Sequence, residues 1–260
     1  MPGFLRRATF PAMTSTGLDA VEARAAASGG AGKRAYVRRI FSEIAPRYDL
    51  LNHVLSLNID RGWRRAALAD LGWRDRPGGT WLDLCAGTLD VGAMLARSTG
   101  FRGKVIGADF AEPMLRNGIG KADPAILSPV AADALDLPLR DASVSGAIVA
   151  FGVRNFADLD EGLREVRRVL TPGGRFVILE FSTPPSALVR AGYGFYSHRV
   201  LPVVGRLMSG HPTAYRYLPD SVDAFPTAEA LADRMRAAGF SSVRWRNLTL
   251  GVVAIHVGER

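Results

Sequence analysis

Leu82-Asp83-Leu84-Cys85-Ala86-Gly87-Thr88-Leu89-Asp90 decides the fold. An apolar run, Thr80–Cys85, ends there in a turn of small residues and passes into a helical pattern. A strand that closes in such a turn and opens directly into a helix lets the backbone approach a ligand closely. A second apolar run, Lys104–Asp109, ends in an acid about 20 residues beyond the turn, where a carboxylate is placed to accept hydrogen bonds from ribose hydroxyls. Taken one at a time, these features are a tight strand–helix turn and a helix-capping aspartate. Together and in this order they point to a nucleoside ligand.

The loop is not a dinucleotide or triphosphate loop. G-x-G-x-x-G and G-x-x-x-x-G-K-[ST] are both absent, so neither NAD nor ATP is favoured. The carboxylate of Asp83 suits a ligand that carries positive charge, and S-adenosylmethionine carries an ammonium and a sulfonium. Asp83, Gly87 and Asp109 are therefore candidate contacts, and Asp133-Ala134, after a weaker run at Ser128–Ala132, is placed to meet an adenine edge.

Outward from the loop the pattern alternates. Further apolar runs at Val144–Phe151 and Arg175–Phe181 are separated by amphipathic stretches such as Asp158–Leu170. Strands alternating with helices imply a mainly parallel sheet covered on both faces, with right-handed crossovers. Near the end, Thr227 starts a helix that closes at Gly239. Val243–Leu248 and Val252–Val257 follow with a short link at Gly251, which predicts an antiparallel last strand. On the other side, Ala35–Ser56, broken by Pro46, and Arg61–Leu71 read as helices. The expected organisation is a single domain over 34–260. Residues 34–76 form its helical cover, and 183–224, rich in Tyr, Pro, Arg and His, form an insertion over a substrate site. Residues 1–33, rich in Ala, Gly, Ser, Thr and Arg, read as a disordered leader.

Of 260 residues, 33 are Lys or Arg and 25 are Asp or Glu, a formal charge of +8; only Lys33, Lys104 and Lys121 are lysines. The excess fits a codon-level preference for Arg, or attraction to an anionic membrane or a nucleic acid. No stretch reaches the roughly 18 apolar residues of a membrane-spanning helix. Cys85 is the one cysteine, so no intramolecular disulfide forms. No His/Cys/Asp cluster has metal-ligand spacing, so no metal is expected.

Three further segments narrow the reading: Phe41-Ser42-Glu43-Ile44-Ala45-Pro46-Arg47-Tyr48-Asp49-Leu50-Leu51-Asn52 with Trp63-Arg64; Phe151-Gly152-Val153-Arg154-Asn155-Phe156; and Leu179-Glu180-Phe181-Ser182 with Tyr215-Arg216-Tyr217-Leu218 and Ser221-Val222. With the tail Asn247–His256 and the loop, over about residues 36–258, the chain resembles the ubiquinone/menaquinone biosynthesis C-methyltransferases, a branch of the class I S-adenosylmethionine methyltransferases. The resemblance implies a Rossmann-like fold with seven strands, mostly parallel, the last antiparallel, and helices on both faces. It also implies methylation of a ring carbon of demethylmenaquinol, of a polyprenyl benzoquinol, or of both. By alignment it places S-adenosylmethionine contacts on Thr88, Asp109, Asp133, Ala134 and Ala150. Ala150 stands where the family usually has a serine, Leu89 where a glycine is common, and Cys85 where a smaller residue is usual.

Methyl transfer to a quinol carbon needs an ionised ring hydroxyl and a group that stabilises the oxyanion. Arg154, at the carboxyl end of a central strand, is the first candidate, Asn155 beside it a second, and Tyr48 in the cover a third. Glu180 faces the same crevice as a proton acceptor or as a structural hydrogen-bonding partner. The apolar cluster Leu201, Val203, Val204, Leu207 and Met208, flanked by Arg199 and Arg206, suits a helix lying in a membrane interface. The expected location is cytoplasmic with peripheral contact at the inner face of the cell membrane; a homo-oligomer is allowed. A class I methyltransferase with another small acceptor shares the loop. An RNA methyltransferase is disfavoured by the lack of an Asn/Asp-Pro-Pro-aromatic segment after the fourth strand, so no nucleic-acid partner is expected.

Overall fold

A computed structural model describes residues 32–48, 58–200 and 214–260, with 22, 23, 25–27 and 56. Most of the leader, His53, His211 and the Leu201–Met208 cluster lie outside the described residues. The elements in chain order are α1 (Lys33–Ile44), α2 (Ile59–Asp70), β1 (Thr80–Leu84), α3 (Asp90–Ala96), β2 (Lys104–Asp109), α4 (Glu112–Gly118), β3 (Leu127–Ala131) and β4 (Val144–Ala150). They continue with α5 (Leu159–Val169), β5 (Leu170–Phe181), α6 (Ala187–Phe195), α7 (Ala214–Asp223), α8 (Ala228–Ala237), β6 (Ser241–Leu248) and β7 (Val253–Glu259).

The seven strands form one sheet in the order β3-β2-β1-β4-β5-β7-β6. Neighbours from β3 to β5 are parallel, and β7 is antiparallel to both β5 and β6. This is the expected Rossmann-like sheet with a reversed last strand. The winding changes direction between β1 and β4, and ligands of open α/β sheets bind outside the carboxyl ends of strands at such a point.

Central strands bury both faces, so they read as near-continuous apolar runs. One face packs Leu89, Val105, Ile148, Val177 and Leu179 under α2 and α3. The other packs Leu82, Val149, Leu163, Val166, Phe176 and Met235 under α5 and α8. Asp158 caps α5 by accepting from the Glu161 N–H, and Thr227 caps α8 by accepting from Ala230. The outermost strand β6 is largely exposed and carries Arg244 and Arg246, charges that discourage edge pairing.

Two local readings differ from expectation. β5 starts at Leu170 rather than Arg175: Leu170 pairs with Val144, and pairing resumes at Arg175–Gly146, so Pro172-Gly173-Gly174 bulges within the strand. The 183–224 segment, which has no strand alternation, contains α6, a π-helical turn over Tyr196–Val200, and α7.

Candidate active site

The loop after β1 is built by positive backbone angles and close contacts. Cys85 (φ 50°), Gly87 (φ 53°) and Leu89 (φ 65°) all take left-handed conformations, which cost a residue with a Cβ. Leu89 offsets that cost by burial: its side chain fills the space above Gly107, where an added Cβ would lie 2.3 Å from Leu89 Cδ2. Helix α4 approaches the loop so closely that a Cβ on Gly118 would sit 2.5 Å from the Thr88 carbonyl oxygen. Thr88 is buried.

Asp109 organises this loop. Its Oδ2 accepts from the Gly87 N–H (2.9 Å) and its Oδ1 from Ala111 N–H (2.8 Å). Burial raises its pKa, and the N–H groups of Ala111, Gly87 and Phe110 oppose that shift. Gly87 therefore spends its N–H on Asp109 and contributes to the site through shape: a Cβ there would lie 3.3 Å from Met114 Cε and 3.7 Å from the Tyr48 ring.

Asp109 opens onto a cleft. Asp133, Ala134 and Leu135 form one wall, Asn155, Phe156 and Ala157 another, and Cys85 and Phe110 also border it. Two carboxylates among apolar walls suit an adenosine, with hydroxyls for Asp109 and an amino group for Asp133. Asp133 Oδ2 pairs with Arg34 Nε of α1 at 2.7 Å, so the helical cover is tied to this wall. Burial pushes the Cys85 thiol well up, and a Cβ on Gly152 would strike Cys85.

Asp83 is placed differently. It is 2% exposed and does not line the cleft; its Oδ2 accepts from the Gly92 N–H of α3 at 2.7 Å. Burial pushes its pKa up to about 7, against the pull of that N–H and of Arg64. Asp83 thus ties β1 to α3. Ala150 packs with the aromatic side chains on the α2 face of the sheet.

At the end of β4, Arg154 is buried in an ion pair. Its Nη1 donates to Glu180 Oε1 at 2.9 Å and to the Phe151 carbonyl, and its Nε donates to Ser221 Oγ at 3.3 Å. Burial alone would lower the guanidinium pKa; Glu180, with Tyr217 and Tyr48, outweighs it and raises it. Glu180 also accepts from the N–H groups of Arg154 and Phe181. Two of these three bonds come from Arg154, so Glu180 is a structural partner that fixes the guanidinium. The Lys33 ammonium donates to the Arg154 carbonyl at 2.8 Å, and the Tyr217 hydroxyl donates to Asn155 Oδ1 at 2.9 Å. The cover and the insertion therefore converge on Arg154-Asn155.

Sequence reasoning quoted Trp63, Phe151, Phe181 and Tyr217 within the family-like segments but gave them no role. Trp63, Phe151 and Phe181 form an aromatic chain with ring centroids 6.0 and 4.8 Å apart. Burial pushes the hydroxyls of Tyr193 and Tyr217 up to about 12, against the opposing field of Arg154, so both remain protonated donors. Tyr217 stood in a quoted segment, whereas only the tyrosine-rich composition of the insertion hinted at Tyr193. His198, by contrast, is exposed and contacts Gly194 and Asp223, away from Arg154.

Compared with known proteins, the chain matches the ubiE/COQ5 methyltransferase family over residues 30–260. The chain belongs to this family. It is 52% identical over 224 residues to a demethylmenaquinone methyltransferase of Thermus thermophilus, covering 85% of this chain and all of that protein. It is 44% identical to a ubiquinone/menaquinone biosynthesis C-methyltransferase of Geobacter sulfurreducens, covering 86% of this chain and 88% of the relative. A Haloferax volcanii methyltransferase solved with the Trm112 activator has a similar fold, with TM-score 0.61 at 19% identity over 84% of this chain and 96% of that one. This member of the ubiE/COQ5 family is a methyltransferase, and S-adenosylmethionine is its co-substrate.

Proposed function

We propose that this chain methylates a ring carbon of a lipid-tailed quinol, demethylmenaquinol, a polyprenyl benzoquinol, or both. The observation that carries the proposal is the immobilised Arg154-Asn155 pair beside the Trp63–Phe151–Phe181 aromatic wall, in a chain about half identical to a protein named for demethylmenaquinone. When bound, S-adenosylmethionine supplies an electrophilic methyl group on a sulfonium.

A quinol carbon becomes nucleophilic when its ring hydroxyl loses a proton. Arg154, fixed by Glu180, supplies a permanent positive field for the resulting oxyanion. Tyr48, against the loop at Gly87, and Asn155, in the cleft wall, orient the ring oxygen. Tyr193 and Tyr217 stay protonated and exclude water from Arg154. The aromatic wall provides a face for the ring to stack on. With S-adenosylmethionine bound, its sulfonium would yield the methyl group to the ring carbon and keep the C–S electron pair, and the ring proton would pass to solvent to restore aromaticity. Holding the two reactants in near-attack geometry supplies much of the rate.

Such an acceptor resides in a bilayer. Among the described residues no helix is long and apolar enough to cross a membrane. Access to the tail is proposed to be through peripheral contact, on the cytoplasmic side, with the 183–224 insertion covering the acceptor. The test offers the purified protein labelled S-adenosylmethionine with each reduced quinol, beside Asn155→Ala and Tyr48→Phe variants. Ring label in either quinol, reduced in the variants, supports the proposal; cofactor binding without ring label in either refutes it.

A further inference from the structure

The two walls of the Asp109–Asp133 cleft come from different crossovers of the sheet, and neighbouring residues of α1 hold one each. On the first wall, Arg34 Nε pairs with Asp133 Oδ2 at 2.7 Å. On the second, Lys33 Nζ donates to the Arg154 carbonyl at 2.8 Å, where the Asn155–Ala157 wall begins. Arg34 itself borders the cleft together with both walls. Two consecutive residues thus reach from one wall to the other.

Local preference works against a helix that starts here. Gly32 stands at the N-cap, no side chain caps the first turn, and that turn holds no acid. It carries two cations instead, at the positive end of the helix dipole, where cations are disfavoured. Lys33 is buried as well, and burial, then the neighbouring Arg154 guanidinium, lowers its pKa. Further along, α1 is well anchored: Tyr36, Val37 and Ile40 are buried in a cluster that includes Tyr217. The first turn depends on its two polar tethers. One is weak, because the Arg34 side chain is 65% exposed and such pairs hold little. The other is a charge-assisted hydrogen bond away from water. A turn that sets aside its local preferences to make two specific tethers marks a functional element, and tethers of this strength keep it closed while leaving it able to open locally. Opening would not dismantle the first wall, since Asp133 Oδ1 still accepts from the Leu135 N–H at 3.0 Å.

We propose that Lys33 and Arg34 form a gate on this cleft, and that release of the first turn of α1 sets the rate at which S-adenosylmethionine enters and its demethylated product leaves. The proposal rests on the reading of the Asp109–Asp133 cleft as the cofactor site.

The test uses the full chain. Rapid filtration follows uptake of labelled S-adenosylmethionine and its chase by unlabelled cofactor, and calorimetry gives Kd. Opening precedes passage in both directions, so a weakened gate raises both rates by one factor and leaves Kd within about 2-fold. Lys33→Met keeps the bulk of the side chain and loses the donor; both rates should rise about 10-fold, as expected for a lost hydrogen bond from a charged group. Arg34→Ala should raise both about 2-fold, and Arg34→Lys, which keeps the pair, should match the wild type. Gly32→Asp sets an acid at the positive end of the helix, and a Cβ there meets nothing within 4 Å, so both rates should fall about 2- to 5-fold. General loosening of the fold would not slow exchange, which separates a gate from a folding defect, and thermal melts confirm that the variants fold. Unmoved rates in Lys33→Met and Gly32→Asp would overturn the proposal. So would a faster release with unchanged uptake and a weaker Kd, which would make Lys33 and Arg34 contacts of the ligand. Wild-type affinity in Asp109→Asn would refute the cleft as the cofactor site, and weakened affinity there with unmoved rates in the α1 variants would refute the gate alone.

Discussion

Arg154 and Glu180 form a pair whose partners are 7% and 1% exposed, so removing either strands a charge away from water. Breaking such a pair generally costs 3–5 kcal/mol. In Arg154→Met the stranded Glu180 carboxylate would keep its bonds from the Arg154 and Phe181 N–H groups, which places the cost near the lower end, about 3 kcal/mol. For a chain of this size that lowers Tm by roughly 6–12 °C. Glu180→Gln should be destabilised comparably, because the buried guanidinium loses its counter-charge and keeps only neutral acceptors, the new amide oxygen, the Phe151 carbonyl and Ser221. The double variant removes both charges and should regain about 2 kcal/mol relative to additivity. Urea unfolding of the four proteins gives the coupling, and methyl transfer gives the activity. Stability should recover in the double variant while activity stays lost, because the field on the acceptor oxygen is gone. Additive destabilisation would refute the coupling. An Arg154→Met protein of wild-type stability would show that Glu180 does not hold this arginine.

Asp109→Asn should weaken S-adenosylmethionine binding by about 10- to 100-fold with the fold retained, since an amide accepts from Gly87 or Ala111 but not both; calorimetry with unchanged affinity would remove Asp109 from the site. Asp83 has its folded pKa raised to about 7, so the native state holds a proton that the unfolded chain has already released between about pH 4 and 7. Unfolding releases that proton, and stability contributed there falls as pH rises through the window, by on the order of 4 kcal/mol at most. Asp83→Asn should flatten the stability profile between pH 4 and 7; an unaltered slope would contradict this. Leu89→Gly relieves a left-handed leucine but empties a buried site, so it should destabilise by about 1–4 kcal/mol in chemical denaturation; a gain in stability would mean backbone strain dominates.

Local order in the chain carried the architecture. The apolar runs of the central strands are buried on both faces, so their signal survived without tertiary context, and the Gly251 link disclosed the reversed β7. The small-residue turn and the acid at Asp109 announced the cofactor loop because a ligand's approach constrains backbone and spacing along the sequence itself. The length of β5 was not legible, since Pro172-Gly173-Gly174 looks like a turn until Leu170 finds Val144 across the sheet.

What only the tertiary structure decided is which charges face which. Asp83 and Asp109 both end apolar runs beside the same loop, yet one carboxylate turns into the core toward Gly92 and the other borders the cleft. Glu180 reads by position as either a proton acceptor or a structural partner, and Arg154, 26 residues away, reaches it and makes it a clamp. Arg61 and Arg65 are ordinary helix-surface cations in sequence, and their shared cleft with Arg97 and Lys121 exists only once α2 lies against α3. Periodicity and turn chemistry act between neighbours in the chain and are written there; ion pairs and clefts depend on three-dimensional approach, so the folded chain alone assigns them.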